Sequence, residues 1–526
     1  MNNRYTGLLC VFALLSSLTF SCTDDFGELN TNPKTISADK VDPSNLGFIL
    51  AGAEYGAHFG QPVPFQLGSS LHSDLYSQYF ATSATYFPSD NHNFNDRWLD
   101  GVWRSFYEEC APQIKLFVDK SKEQERPVEQ AIGEIWRSYS FLRMTDWFGP
   151  IIYKSYGNGE LSVSYDSQED IYKDIFQVLD QATSVLKQHA GTTSLVGAKD
   201  KIFAGNVDRW RTFANTLRLR MALRVKYVEP ALAKEQAEKA VSDGVMEDIR
   251  DNALIATSKT RKNPYNLITL WGKEFRMSSS MESVLKGYDD PRLPIYFAPA
   301  VLGDSDGDGL PYEGLRNGET EADKTNINFG DLCSTIGPRW LPNGPDTNPI
   351  QVMRTAEAYL LRAEGALEGW AMGGSVEELY NNGVRASLLE WEIGEDQISE
   401  YLKSTAKPVA PGDRHASAPL SDIPVAFMVG AEKTRQLEQI MTQKWLALFP
   451  DSWEAWAELR RTGYPKLYPR IYSMNPDVPA DQIVRRIPYT SSEYDFNTGA
   501  LNAALALPEM GAGDKGSTKL WWDKRP

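Results

Sequence analysis

Apolar residues recur along this chain at steps of three and four, the period of a helix with one buried face. Ser167-Gln168-Glu169-Asp170 has the form of a capping box. Ile171, Ile175, Val178, Ala182 and Val185 then make one stripe, closed by Gly191. Ile132, Ile135, Tyr139 and Leu142 make another, ending at Gly149-Pro150. Asp208 can cap a third helix, with Trp210, Phe213, Ala214, Leu217 and Met221 on a common side before Pro230 ends the region. Ala356, Leu360, Ala363, Leu367 and Trp370 form a fourth stripe. After the Gly373-Gly374 break, a second capping box from Ser375 to Glu378 leads Val376, Tyr380, Val384, Leu388 and Trp391. This pair reads as a helix hairpin with Ala363, Gly365 and Ala366 on its close-packed side, in the manner of tetratricopeptide units, although their Trp-Leu-Gly-Tyr consensus is absent. Strand candidates are short and few. The pattern predicts a mainly α-helical fold of stacked, tetratricopeptide-like hairpins with minor β structure.

Between the stripes lie stretches rich in Gly, Pro, Ser and aromatics, at 52–98, 287–350 and 406–424. They read as loop insertions on one helical body, because helical patterns continue on both sides. Long ordered loops on a rigid scaffold are where binding usually sits.

The N-terminus has its own pattern. Arg4 precedes an apolar run from Leu8 to Phe20 that ends at Ser21-Cys22. The run is too short to span a bilayer and has the layout of a secretory signal, 1–21, with Cys22 as the lipidated first residue of a bacterial lipoprotein. Acyl chains on Cys22 would anchor the protein to a membrane surface, and residues 22–526 form the body. Cys10 leaves with the signal. Cys110 and Cys333 remain, and two buried free thiols are the plain reading for a body of this size.

Composition narrows the function classes. The 526 residues carry 54 Lys and Arg against 70 Asp and Glu, a net charge of −16. Such a chain is poorly suited to phosphate tracking, so nucleic acid is not an expected partner. Fourteen Trp and 24 Tyr against five His and four Cys favour stacking surfaces over metal or thiol chemistry.

Asp208 to Arg220, Tyr288 to Leu293, Glu357 to Glu364, Gln443 to Phe449, Trp453 to Pro465, Arg485 to Tyr489 and Trp521-Trp522-Asp523 together resemble the SusD/RagB family of outer-membrane nutrient-binding lipoproteins. The matches run in order over the whole mature chain. The resemblance implies tetratricopeptide-like hairpins as scaffold, a variable loop face as the binding site, and a SusC-like TonB-dependent β-barrel transporter as partner. It also implies an oligosaccharide ligand, with peptide as the alternative in some members. Thr23-Asp24-Asp25 resembles the export tag of surface-exposed lipoproteins, which places the protein on the cell exterior.

Sugars are polar at their edges and apolar on their C–H faces, so their sites pair Trp or Tyr platforms with hydrogen-bonding side chains. Tyr86, Phe87, Asp90, Asn91, His92, Asn93 and Trp98 supply that mixture in one loop. The expected site is Trp98 with Tyr86 and Trp340 as platforms, and Asp90, Asn91 and Asn93 holding hydroxyls. Trp98 and Trp340 read equally as core residues. Trp103, followed by Phe106 and Tyr107 at helical spacing, reads as core, as do Trp445, Trp453 and Trp456.

Asp304-Ser305-Asp306-Gly307-Asp308-Gly309 opens like a calcium-binding EF-hand loop, which makes Asp304, Asp306 and Asp308 candidate ligands for a structural calcium. Its twelfth position is Leu315 where the motif has Glu, and no helix pattern leads into it. No cofactor is otherwise required. Gly511-Ala512-Gly513-Asp514-Lys515-Gly516 matches a dinucleotide-binding pattern by letter but lacks the strand before it and the helix after it, so it reads as a turn. His58, His72, His92, His189 and His415 lack ligand spacing, and neither a His-Glu-x-x-His nor a Gly-x-Ser-x-Gly motif occurs. A lipid-anchored glycoside hydrolase is the distant third reading, since paired carboxylates need no motif. The chain reads as a binding protein and not an enzyme.

Overall fold

Helices carry the fold, as the apolar stripes require. The computed structural model describes residues 41–268 and 273–525, so the signal segment and Cys22 lie outside it. The chain divides into Met1–Asn45 and Leu46–Pro526, and every element below belongs to the second unit. Its helices of nine residues or more are α1 (Leu46–Gly56), α2 (Asp96–Arg104), α3 (Ala111–Glu123), α4 (Pro127–Phe148), α5 (Gln168–Gln188), α6 (Val207–Arg224), α7 (Pro230–Asp243), α8 (Ser279–Gly287), α9 (Thr355–Leu367), α10 (Val376–Glu390), α11 (Lys433–Leu448) and α12 (Ser452–Thr462). Neighbours in sequence pack as hairpins: α3 on α4, α4 on α5, α6 on α7, and α9 on α10. Among the described residues, no helix is long and apolar enough to cross a membrane.

Local chemistry explains the boundaries. Ser167 caps α5 by accepting from the Asp170 amide, and Ser375 and Glu378 form a complete capping box at α10. The α6 cap is Asn206 and not Asp208: the Asn206 side chain accepts from the Arg209 amide, while Asp208 accepts from Gly191 N at 2.8 Å. Pro230 opens α7 at a position where its missing N–H costs nothing. The α9–α10 hairpin closes tightly at Gly383, where a Cβ would lie 2.6 Å from Leu360 Cγ.

The stretch 52–98, expected as a loop, is largely helical. α1 runs to Gly56, and Pro62–Phe65, Gln66–Ser73 and Asp74–Tyr76 form one helical path whose middle segment has the wide π turn. Pro62 sits at a helix start, where Pro is tolerated. Gly68 lets this path approach Phe59 and Trp453 within about the contact distance a Cβ would need. The stretch 287–350 holds short helical turns until a strand at 350, and 406–424 has neither helix nor strand.

Two small antiparallel ribbons tie distant segments. β1 (Phe80–Thr82) pairs with β3 (Phe275–Met277), with Thr82 opposite Phe275, and β2 (Ala253–Ile255) pairs with β4 (Ile350–Met353).

A buried ion network joins the helices. Arg220 of α6 holds Glu357 of α9 through two bonds of 2.8 and 2.7 Å. Arg224 reaches Asp146 of α4 at 2.8 Å and Glu454 of α12 at 2.5 Å. Lys444 of α11 lies 3.0 Å from Glu458, and Arg461 bridges Glu458 and Glu364. All of these side chains are buried. Such groups persist inside a protein only when each charge is paired and hydrogen-bonded. Trp103, Trp445, Trp453 and Trp456 are buried, as their helical spacing indicates. Cys110 and Cys333 are free and buried.

Candidate functional site

The β1–β3 ribbon builds the aromatic surface. Pairing Thr82 with Phe275 and Ser83 N with the Glu274 carbonyl at 2.8 Å brings residues 83–87 against the 274–275 edge. Phe87 is the hinge of the cluster. It stacks on Phe275 with ring centroids 5.7 Å apart and meets Tyr86 edge-on at 4.7 Å and Trp98 edge-on at 5.9 Å. Tyr86 is 63% exposed, and Phe87, Trp98 and Phe275 are half-buried. Four rings thus form a partly solvated aromatic face.

Tyr86 also borders an open groove of about 480 Å³, lined among others by Ser83, Lys273, Glu274, Lys324, Asn326 and Asn328. Its phenol donates to Glu274 Oε1 at 3.1 Å. Partial burial and the Glu274 carboxylate raise the phenol above its ordinary pKa, so it remains a neutral donor at physiological pH. Burial lowers the Lys324 ammonium from its ordinary value, against the pull of Asp90 and Glu319. An aromatic wall beside ammonium, carboxylate and amide groups can stack an apolar ring face and bond the hydroxyls at its rim.

The remaining expected residues do not join this surface. Asp90 is fully buried; its carboxylate accepts from Asn317 Nδ2 at 2.7 Å and from Thr82 N at 3.2 Å. Asn91 is buried and donates to the carbonyls of Gly318, Glu319 and Tyr472. Both clasp the loops together, so they are corrected from ligand-holding to structural roles. A polar pair in a loop serves either purpose with the same letters. Asn93 is half-buried, and among the described residues its side chain makes no hydrogen bond.

Trp340 is likewise corrected. It has no exposed surface and packs against Trp391 at 5.7 Å and Phe449 at 5.6 Å. The flanking prolines do make a short turn, Pro338–Trp340, but the turn faces inward. Phe275, Glu274, Asn326 and Asn328 were not foreseen. Only the β1–β3 pairing, across nearly two hundred residues, places the first two beside Tyr86.

Asp304, Asp306 and Asp308 do come together, with carboxylate oxygens within 4.8 Å of one another. Asp304 accepts from the amides of Gly307 at 2.7 Å and Gly309 at 2.9 Å, which shapes the turn. The ammonium of Lys286 lies 2.8 Å from both Asp308 and Glu282 and 3.4 Å from Asp306. Leu315, at the twelfth position, enters the core with Ala81, Phe329 and Cys333. The glycine-rich 511–516 segment is a turn, in which the Asp514 carboxylate accepts from the Tyr489 amide and pairs with Arg486.

A family model described as Susd and RagB outer membrane lipoprotein matches residues 28–523. A chitin-binding SusD homolog from Flavobacterium johnsoniae is 35% identical with a TM-score of 0.81, over 90% of this chain and 98% of that one. A SusD-like protein from Bacteroides thetaiotaomicron is 30% identical with a TM-score of 0.81, over 91% and 98%. A SusD homolog from Bacteroides uniformis is 30% identical with a TM-score of 0.81, over 92% and 100%. No curated protein matches. A helical scaffold shared over this length, together with a family match across nearly the whole sequence, fixes the assignment: the chain belongs to the SusD-like family of outer-membrane lipoproteins.

Proposed function

We propose that this protein is a cell-surface glycan receptor without catalytic activity, which captures an oligosaccharide and delivers it to a TonB-dependent β-barrel transporter. Acylated Cys22 would anchor it to the outer membrane, facing outward. The observation that carries the reading is the aromatic face of Tyr86, Phe87, Trp98 and Phe275 beside the polar groove. Exposed aromatic rings in a group are costly to leave in water, and a sugar ring covers them while its hydroxyls reach Glu274, Asn326 and Lys324. The chitin-binding homologue makes β-1,4-linked N-acetylglucosamine oligomers the first ligands to test.

Titration calorimetry of the chain after Cys22 against chito-oligosaccharides, other glycans and peptides tests the ligand class. Glycan binding without product formation supports the reading. Binding of peptides alone, or turnover of the glycan, overturns it. Changing Cys22 to Ala should release the protein from the membrane fraction, and mild-detergent isolation of the lipidated form should bring a large β-barrel with it.

A further inference from the structure

A second cavity lies between the end of α1, the turn after it, the wide helical segment Ser105–Cys110 and α3. Its volume is about 160 Å³, roughly ten times what a single water needs. None of its lining residues lines the Tyr86 groove. Tyr55 and Phe59 form its aromatic wall; Ser105, Glu109, Gln113 and Arg261 form its polar side.

Each wall is held in place. Phe59 takes a left-handed backbone conformation, φ +50, which is rare for a bulky residue. Its ring is fixed by stacking on Trp453 at 5.4 Å. Tyr55 can fold over the chain because position 60 is Gly, where a Cβ would lie 2.2 Å from the ring. Gln113 reaches in across Gly52, where a Cβ would meet its Oε1 at 1.9 Å. Ser105 and Glu109 project from a π-helical turn, a feature that recurs at functional sites.

The polar groups are only partly engaged. Among the described residues, neither the Ser105 hydroxyl nor the Glu109 carboxylate makes a hydrogen bond. Gln113 donates to the Glu109 carbonyl at 2.9 Å, which leaves its side-chain oxygen open. The Arg261 guanidinium has one long contact, 3.5 Å to the Ala51 carbonyl, and sits 5.6 Å from the Tyr55 ring centre. A carboxylate and a guanidinium each address two neighbouring hydroxyls at once, and the buried Tyr55 and Phe59 rings close the apolar back of the cavity.

We infer that this cavity is a second site, for one sugar ring carrying vicinal hydroxyls. It takes its ligand class from the receptor reading but is built from different residues, so the two stand or fall separately. A free zwitterion, with its carboxylate on Arg261 and its ammonium on Glu109, is the competing occupant.

The test is ligand-observed saturation-transfer NMR with N-acetylglucosamine, glucose, galactose and mannose, and with glycine as the zwitterionic probe, on the chain after Cys22. Wild type, Glu109→Ala, Glu109→Gln, Arg261→Ala and Trp98→Ala are compared. At least one monosaccharide should bind, with affinity lowered about tenfold by Glu109→Ala and by Arg261→Ala and held in Trp98→Ala. Glu109 and Arg261 are exposed, so melting should not move, and Glu109→Gln preserves shape if it does. Three results overturn the site: no monosaccharide signal that responds to Glu109 or Arg261, a signal lost only with Trp98→Ala, or displacement of the sugar by glycine. Failure of the receptor reading appears elsewhere, as absent oligosaccharide binding at the Tyr86 platform.

Discussion

The guanidinium of Arg461 meets the carboxylate of Glu364 through two bonds of 2.6 Å each, and neither side chain has any exposed surface. Glu364 belongs to α9 and Arg461 to α12, so the pair fastens two helices separated by nearly a hundred residues. Lys226, in the turn that follows α6, lies 2.7 Å from Glu364 and ties that turn to the pair. Arg220, Glu357, Lys444, Glu454 and Glu458 continue the same network. All of these except Lys226 lie in the segments through which the sequence resembles its family. In this chain those segments therefore carry the internal fastening of the scaffold, while the aromatic platform lies outside them.

Arg461→Met should cost about 3–5 kcal/mol of stability, because it leaves buried carboxylates short of a partner. Adding Glu364→Leu should recover part of the loss by removing one stranded charge. Urea unfolding of the single and double variants measures both. A single variant within about 0.5 kcal/mol of wild type would mean the pair carries no such weight.

Buried acids give the pH dependence two opposite signs. Burial alone would raise Glu364, but Arg461 and Lys226 hold it at about 2. Its contribution is full above its unfolded value near 4.5 and is lost as pH falls from there toward 2. Asp74 behaves in the reverse sense: burial pushes it up to about 7, despite hydrogen bonds from Ser452 and Tyr265. The folded chain then holds a proton that the unfolded chain releases near 3.8, so stability falls as pH rises from about 4 to about 7. Asp74→Asn should flatten that slope, with a gain on the order of a few kcal/mol at pH 8 and little at pH 4. Denaturation of both proteins at the two pH values measures it, and an unchanged slope would assign it to other groups.

Helix stripes and capping boxes were legible because they are local. The α5, α9 and α10 patterns lie where the spacing puts them. The stretch 52–98 misled because Gly, Pro and Ser favour loops on average, yet Pro62 opens a helix and Gly68 admits a close neighbour. The site was half legible for a related reason. Tyr86 and Trp98 announce themselves as loop-borne aromatics, but Phe275 joins them only through strand pairing. Trp340 shows the converse, since a turn between prolines can point into the core as readily as out of it.

That contrast gives paired outcomes for the aromatics. Trp340→Ala should cost about 3–5 kcal/mol of stability through its cavity and leave glycan affinity unchanged. Tyr86→Ala should leave melting unchanged, because the ring is 63% exposed, and should remove about 2 kcal/mol of binding energy. Trp98→Ala, half-buried, should weaken binding by a similar amount with a smaller fall in melting temperature than Trp340→Ala. Affinity and melting temperature measured on the same samples separate the roles. Lost affinity in Trp340→Ala with binding intact in Tyr86→Ala would move the site away from the platform.

The acidic loop offers the last expectation. Lys286 already lies among Glu282, Asp306 and Asp308, so its ammonium pairs with two of the three carboxylates of the acidic turn. Burial would lower this ammonium, but Glu282 and Asp308 hold it above its ordinary value, so it stays charged. Calcium on those carboxylates would compete with a paired cation, so wild-type melting should be the same in EDTA as in millimolar calcium. Lys286→Met removes that cation and leaves Glu282, Asp306 and Asp308 with unrelieved repulsion, which should lower the melting temperature and make it rise again with calcium. Differential scanning calorimetry of both proteins decides the matter. A calcium-dependent rise in wild type would show that Asp304, Asp306 and Asp308 hold the ion on the solvent side of Lys286, as their spacing in the sequence suggests.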